Sequence, residues 1–388
     1  MTGGGFVNKK VANLPPSGIR KFFDLVANTK GVISLGVGEP DFVTPWRIRE
    51  ACFYSLEKGY TMYTSNYGLL ELRQEIAKHF SRKYKVKYNP ENEILVTVGV
   101  SEAVDIVLRA VLEPDEEVLI PEPSFVSYKP CTILAGGVPV PIETTADTQF
   151  KITPKMVADK ITPNTKAILL SYPNNPTGAT YSKQELLDLA KVFEKHNLLV
   201  LSDEIYADLT YEGAHTCFAS LPNMRDRTVV FNGFSKAYAM TGWRIGYTLA
   251  NKEITDAIVK IHQYAIMCAP VMGQMAALEA LRNADDDVIQ MVNQYNQRRR
   301  LIVSRFNQIG LTCHEPKGAF YAFPSIKSTG LTAEEFAERL LIEEKVAVVP
   351  GNAFGLGGDG HIRCSYASSL DNITEALVRI ERFVKNHC

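Results

Sequence analysis

The residues best suited to chemistry in this 388-residue chain gather in one stretch, which begins at Ser235 and Lys236 and ends at Arg244. The stretch follows a β-branched apolar run, residues 228–231, which predicts a buried strand. A lysine placed just past a buried strand loses hydration, and this favours its neutral, nucleophilic amine. Such an amine can attack an aldehyde to form a Schiff base. A lone lysine in a loop is more simply a solvated side chain, so this interpretation depends on partners from the rest of the chain.

The elements that would position these residues alternate between strands and helices. An α/β fold with a doubly wound, mostly parallel sheet is therefore expected, together with a smaller α+β domain. Within the large domain, strands are predicted over residues 94–98, 118–120, 166–171, 198–202 and 229–232. The expected division is an N-terminal arm and segment joining the small domain over 1–45, a large domain over 46–284, and a small domain over 285–388.

Several helix starts carry capping signals. Thr44 before Pro45 predicts an N-cap, because a threonine hydroxyl can accept from a free helix amide and proline suits the first turn. A Ser or Thr followed three residues later by Glu predicts capping boxes at residues 182–185 and 332–335. Beyond Gly246 the pattern predicts helices until the small domain begins.

Composition excludes several classes of protein. Lys+Arg 42 against Asp+Glu 43 gives a net charge of −1, which offers no electrostatic case for nucleic acid or an anionic membrane. No apolar run approaches the ~20 residues that span a bilayer, and the N-terminus lacks the apolar core of a signal peptide. The seven cysteines are scattered without a Cys-x-x-Cys pair, so we expect a reduced, cytoplasmic protein. The seven histidines are equally scattered, and no metal site is expected.

Other chemistry-bearing residues follow the neighbouring predicted strands. Ligands of open parallel sheets bind beyond the carboxyl ends of the strands. One strand leads to Val100 and Ser101 at a helix N-terminus, which favours an anion such as phosphate. Others lead to Asn175, and to Asp203 with Tyr206. Each has an ordinary structural explanation by itself, but one edge with an anion site, carboxylate, phenol, amine and guanidinium matches the needs of pyridoxal phosphate.

The sequence also resembles a known family. Six motifs, in the family's order and spread from residue 38 to residue 367, resemble those of fold type I pyridoxal-phosphate enzymes of the class I/II aminotransferase family. They are GEPDF at 38–42, YPNNPTG at 172–178, SDEIY at 202–206, the SK and TGWRIG pair within 235–246, PGNAFG at 350–355 and IRCSYA at 362–367.

The resemblance implies roles around the cofactor ring. Lys236 would hold the cofactor as a Schiff base and then shuttle the substrate proton, while Asp203 would keep the pyridine nitrogen protonated. Tyr206 and Asn175 would hydrogen-bond the phenolic oxygen. Phe125 matches the aromatic residue that stacks on the ring, although an ordinary aromatic residue at a strand end is the alternative.

The resemblance also implies how phosphate and substrate are bound. Ser235, Arg244 and the amides around Val100 and Ser101 would bind the phosphate. Gly233 stands where many relatives have Ser or Thr, so one phosphate hydroxyl would be missing.

On the substrate side, Arg363 matches the residue that clamps the α-carboxylate, and the backbone of Gly38 would lie close to the substrate. Tyr63 matches a tyrosine that reaches the phosphate of the neighbouring subunit, which implies a homodimer with shared active sites. The Asn175–Pro176 peptide would be cis.

The leading hypothesis is a transaminase that cycles between an L-amino acid and a 2-oxo acid such as 2-oxoglutarate. Residues 17–23 and 125–137 resemble prokaryotic aromatic amino acid aminotransferases and their aspartate-acting relatives, so an aromatic donor is favoured and aspartate is possible. Tyr67 and residues 19–20 are candidates for the side-chain pocket. The alternatives are a carbon–sulfur β-lyase with the same cofactor and lysine, and a non-catalytic regulator, which would need a DNA-binding domain for which the chain has no room before Gly31.

Overall fold

The fold is built on a seven-stranded sheet, seen in a computed structural model that describes residues 6–16, 18 and 30–387. The strand order in this sheet is β2-β8-β7-β6-β5-β3-β4. The strands within the described residues are β1 (Ile33–Ser34), β2 (Ile94–Thr97), β3 (Glu117–Glu122), β4 (Val138–Glu143), β5 (Thr165–Ser171), β6 (Leu199–Asp203), β7 (Thr228–Gly233), β8 (Gly246–Leu249), β9 (Tyr321–Ala322), β10 (Val346–Ala347), β11 (Val349–Pro350) and β12 (Ile362–Ser365).

Helices cover both faces of this sheet and build much of the C-terminal part. In the part of the chain that the structure describes, the α-helices are Lys9–Ala12, Trp46–Glu57, Leu70–Tyr84, Gly99–Val111, Tyr128–Leu134, Pro154–Ala158, Lys183–Lys195, Lys252–Ala265, Val271–Asn283, Asp285–Gln308, Ala333–Glu344 and Leu370–His387.

The direction of the strands decides where a ligand can bind. Strands β3 to β7 pair parallel with one another, and β8 runs antiparallel to both β7 and β2. Because two antiparallel pairings in succession restore the direction, β2 points the same way as β7. The prediction of a doubly wound, mostly parallel sheet is confirmed, and the carboxyl ends of β2, β5, β6 and β7 lie along one edge.

The central strands are apolar throughout because both faces of the sheet are covered. On one face Leu169 and Leu201 pack in a cluster with Leu108 of the helix Gly99–Val111. On the other, the alternate residues pack in a second cluster with the helix Lys183–Lys195, which contributes Leu186, Leu189 and Phe193. Because successive side chains of a strand point to opposite faces, each central strand contributes to both apolar clusters.

The smaller sheets lie outside the residue range of the large one. Strands β11-β12-β9 form an antiparallel sheet within the C-terminal part. β1 pairs parallel with β10, with Ile33 opposite Val346, so the segment around β1 joins the C-terminal part rather than the seven-stranded sheet. The predicted boundary at residue 285 falls between two helices, and the division into domains remains a proposal.

Two capping predictions are confirmed and one is wrong. Ser182 and Thr332 each form a capping box with the Glu three residues later. The Thr44 hydroxyl does not cap its helix, because it donates to the Ala239 carbonyl at 2.5 Å and accepts from the Trp243 indole at 2.9 Å. The Thr44 hydroxyl therefore bonds to groups distant in the sequence instead of to an amide of its own helix.

The expectation that helices alone lie between Gly246 and the small domain is also wrong, since β8 begins at that residue. The prediction overlooked β4 as well, an edge strand in which Pro139 and Pro141 hide the β pattern. Proline is tolerated there because an edge strand has one side without ladder partners.

Three further observations concern the described residues as a whole. Among them, no helix combines the length and apolar character needed to cross a bilayer. Six of the cysteines lie in the described ranges, and all six are free thiols. Within the same ranges no group of three or more His, Cys, Asp or Glu side chains is arranged to hold a metal ion.

Candidate active site

A cavity of about 380 Å³ opens at the carboxyl edge of the seven-stranded sheet, within the range typical of small-ligand sites. The structure brings eleven of the twelve predicted site residues to its walls: Gly38, Val100, Ser101, Phe125, Asn175, Asp203, Tyr206, Ser235, Lys236, Arg244 and Arg363. The twelfth, Tyr63, is 81% exposed on the surface and does not line the cavity of its own chain.

Lys236 lies just past the end of β7, with its amine inside the cavity. Its Nζ donates to the Gly38 carbonyl at 2.6 Å and lies 5.7 Å from the centre of the Tyr206 ring. Burial, followed by the positive charge of Arg363, lowers the pKa of this amine from 10.5 to about 8. Near neutral pH a fraction of Lys236 is therefore already the neutral nucleophile.

Asp203 ends β6 and is 4% exposed. Its carboxylate accepts from the Tyr128 hydroxyl at 2.7 Å and from the Ile205 amide at 3.1 Å. Burial raises its pKa to about 6, opposed first by the hydrogen bond from Tyr128. At pH 7 the site therefore offers a largely ionised carboxylate in a buried position, which suits a protonated ring nitrogen. The prediction assigned no role to Tyr128, because nothing local indicates that it reaches Asp203.

The proposed phosphate end is built from close backbone approaches. Gly99 begins the helix Gly99–Val111 with φ +73°, and a Cβ there would lie 2.5 Å from the Arg244 guanidinium. A Cβ on Gly246 would lie 2.7 Å from the Val100 amide nitrogen. The glycines thus leave room for an arginine beside a helix N-terminus, an arrangement that fits an anion.

Gly233 has a steric reason for carrying no side chain. A Cβ at this position would lie 2.8 Å from the Gly246 Cα, closer than carbon atoms approach one another. A Ser or Thr could be placed there only if β7 and β8 moved apart, since the two glycines are paired in the sheet.

Arg363 occupies the opposite side of the cavity, on β12, and is 3% exposed. Its Nη1 donates to Asn175 Oδ1 at 2.9 Å and its Nη2 to the Gly36 carbonyl at 2.6 Å. Its guanidinium carbon lies 4.5 Å from the ring centre of Tyr321 and 4.9 Å from that of Phe354. Its Nε is buried and has no partner in the described part of the chain. A fixed, incompletely satisfied guanidinium suits a carboxylate ligand.

Tyr206 is paired with a second phenol that the prediction also missed. Its hydroxyl lies 2.7 Å from the hydroxyl of Tyr321, and burial raises the pKa of both groups. Both are therefore protonated at neutral pH and available as hydrogen-bond donors. Tyr321 belongs to β9, and only its place in a short apolar run was visible in the sequence.

The peptide at Asn175–Pro176 is cis, as the resemblance predicted. For the side-chain pocket, the sequence had suggested Tyr67 and residues 19–20. Tyr67 does not line the cavity, and its hydroxyl instead donates to Asp256 at 3.3 Å. Residues 19–20 lie outside the described part of the chain.

Comparisons by sequence and by structure both match this chain to aminotransferases. The family model for aminotransferase class I and II matches residues 30–380. The chain is 56% identical over 379 residues to a putative aminotransferase, YugH, of Bacillus subtilis, covering 98% of each chain. It is 44% identical to a probable N-acetyl-LL-diaminopimelate aminotransferase of the same organism, covering 97% of this chain and 95% of that one. The crystal structure of the aromatic aminotransferase from Pyrococcus horikoshii OT3 aligns with a TM-score of 0.91 at 42% identity, covering 95% and 99% of the two chains.

Proposed function

Since this chain belongs to the class I and II aminotransferase family and is a pyridoxal-phosphate-dependent aminotransferase, we propose that it moves an amino group between an aromatic L-amino acid and 2-oxoglutarate. The relatives are aminotransferases, and nothing among them favours the carbon–sulfur β-lyase alternative. These relatives are named for different substrates, so the identity of the amino donor depends on the residues that line the cavity.

One observation carries the choice of donor. In the described part of the cavity wall the only guanidinium groups are those of Arg244 and Arg363, which lie at the phosphate end and at the carboxylate end. No third guanidinium stands there for the second carboxylate of aspartate, while the Arg363 side of the cavity carries the aromatic ring of Tyr321. An aromatic side chain is therefore favoured, and aspartate is the alternative donor.

The residues around the sheet edge fit the cofactor group by group. The buried carboxylate of Asp203 would hold the ring nitrogen, and Tyr206 with Asn175 would donate to the phenolic oxygen. The aromatic ring of Phe125 would lie against the ring face. The phosphate would be held by Val100, Ser101, Ser235 and Arg244.

The bound cofactor supplies an electron sink for negative charge at the substrate Cα. Arg363 and the backbone at Gly38 orient the substrate through its α-carboxylate. Lys236, with its pKa lowered to about 8, removes the proton from Cα. Its amine lies in the same cavity as Arg363, so one residue holds the substrate where the other can reach it.

We also propose a homodimer with shared active sites. The loop carrying Tyr63 contacts the end of the helix Lys252–Ala265 through a bond from Asn66 to the Met267 carbonyl at 2.8 Å. Exposed apolar side chains occur on both segments, with Tyr63 81% and Tyr264 88% exposed. A second copy of the chain would cover this face and bring Tyr63 to the neighbouring phosphate site.

A panel of amino donors assayed with 2-oxoglutarate tests the substrate proposal. Phenylalanine and tyrosine should have a higher kcat/KM than aspartate. A higher value for aspartate would contradict the aromatic assignment and leave the family assignment intact. Cystathionine serves as a control, because thiol and pyruvate released without transfer to a 2-oxo acid would indicate the lyase.

A hybrid dimer tests the sharing of sites. Lys236→Ala and Tyr63→Ala variants, each impaired alone, should recover activity when mixed and exchanged, because one site of each hybrid then has both residues intact. If Tyr63 acts on its own chain, no hybrid contains an intact site and mixing restores nothing. Sedimentation of the separate variants checks that both still form dimers.

A further inference from the structure

We propose that Tyr321 is a positioning residue that directs the hydroxyl proton of Tyr206 towards the cofactor. This inference rests on the proposed role of Tyr206 as a donor to the phenolic oxygen. The two hydroxyl oxygens lie 2.7 Å apart, both rings are buried, and either hydroxyl could donate in the pair. Which one donates therefore depends on where the second proton can go.

The surroundings of Tyr321 offer its proton one good acceptor. Besides Tyr206, its hydroxyl lies 3.4 Å from the Gly38 carbonyl, which is long for an O–H···O bond. Tyr206 at 2.7 Å is the better partner, and an oxygen that accepts from Tyr321 keeps its own proton free for another acceptor.

The position of Tyr321 is itself tightly fixed. A Cβ on Gly38 would lie 2.7 Å from the Tyr321 hydroxyl, so the backbone leaves room for this group and little more. β9 pairs with β12, which carries Arg363, and the Arg363 guanidinium lies over the Tyr321 ring at 4.5 Å. The Tyr321 phenol is thus held in place by β9, whose partner strand β12 carries Arg363, the proposed ligand of the substrate carboxylate.

The consequence is a stronger bond from Tyr206. A hydroxyl that accepts one hydrogen bond is polarised and donates the next more strongly, by about 10–30%. A donor to the phenolic oxygen stabilises its anionic form and so lowers the pH at which the bound cofactor changes its visible absorption. Removal of the Tyr321 hydroxyl should therefore raise that pH midpoint by a fraction of the effect of removing the Tyr206 hydroxyl.

The test is a spectroscopic pH titration of the holoenzyme, which does not depend on turnover. Tyr206→Phe should raise the midpoint by roughly 1–2 pH units, as loss of a hydrogen bond to a charged group implies. Tyr321→Phe should raise it by roughly 0.2–0.5 units, and in the Tyr206→Phe background it should add nothing. Since the ring under Arg363 is retained, the KM for the amino acid should stay within about twofold.

Tyr366→Phe is the matched control. This tyrosine is fully buried nearby, but its hydroxyl donates to the Ala319 carbonyl at 3.2 Å, so the midpoint should not move. A midpoint unchanged in Tyr321→Phe, with the Tyr206→Phe shift present, would overturn the inference and leave the proposed function standing. If Tyr206→Phe does not shift the midpoint either, the proposed role of Tyr206 fails, and the inference fails with it.

Discussion

Replacing Lys236 by methionine should stabilise the cofactor-free protein, although it removes the residue on which the proposed chemistry depends. Burial lowers the pKa of this amine from 10.5 to about 8, so its positive charge is less stable in the folded protein than in water. With about 1.4 kcal/mol for each tenfold change in proton affinity, the cost at pH 7 is about 3 kcal/mol. Loss of the hydrogen bond to the Gly38 carbonyl offsets about 1 kcal/mol, leaving a net gain of ~2 kcal/mol.

The sign of the pH dependence provides a second check. Because the folded pKa of Lys236 lies below the unfolded one, the cost of its charge is fully present below pH 8. It disappears as the pH rises from 8 towards 10.5, since the folded protein then holds the neutral amine at no penalty. The advantage of Lys236→Met should therefore shrink over this interval.

The assay is urea unfolding of the two cofactor-free proteins at pH 7 and at pH 10. Methionine is a suitable replacement because its chain can fill the space beside the Tyr206 and Phe320 rings, each 5.7 Å from the Lys236 amine. An equal or lower free energy of unfolding for the variant at pH 7 would refute the reasoning. So would a gain that does not change with pH.

Three further predictions concern the two ends of the site and its carboxylate. Arg363→Lys keeps the charge but loses the planar fork, so kcat/KM for the amino acid should fall roughly 10–100-fold while cofactor affinity is retained. Gly99→Ala should weaken cofactor binding by about tenfold or more, because its Cβ would displace Arg244; Gly59→Ala, with a similar φ and open space, is the control and should bind the cofactor normally. Burial raises the pKa of Asp203 from 3.8 to about 6, so ionisation of this carboxyl should cost the cofactor-free protein about 3 kcal/mol of stability as the pH rises from 4 to 6. In urea unfolding at the two pH values, the change in stability of Asp203→Asn should be more favourable than that of the wild type by about this amount, and an equal change in the two proteins would contradict the assignment.

The sequence predicted the elements whose signals are local. A capping box depends on two side chains three residues apart, and those at Ser182 and Thr332 form as predicted. The strands that lead to Asp203 and Lys236 are apolar because they are buried on both faces, and this apolar character is visible in the sequence.

The wrong predictions concern residues whose hydrogen bonds or conformation depend on partners distant in the sequence. Thr44 has the right residue type for a cap, but its hydroxyl donates a hydrogen bond to the Ala239 carbonyl, 195 residues away. β8 is only four residues long and begins with a glycine, so its pairing with β7 and β2 determines its conformation more than its own pattern does.

Tyr128 and Tyr321 were missed as site residues for the same reason. Tyr128 reaches Asp203 from 75 residues away, and Tyr321 reaches Tyr206 from 115 residues away. Nothing near either tyrosine in the sequence distinguishes it from an ordinary core residue. Their contacts follow from the parallel sheet and from the packing of β9, which no local signal specifies.

The proposed function depends above all on a Schiff base between the amine of Lys236 and the aldehyde of the cofactor. The most direct measurement is to treat the purified, yellow holoenzyme with borohydride, digest it, and locate the pyridoxyl group by mass spectrometry. The added mass is expected on the peptide that contains Lys236, and Lys236→Ala should show neither the label nor transaminase activity. A label on another lysine of the wild-type protein, or wild-type turnover in the alanine variant, would contradict it.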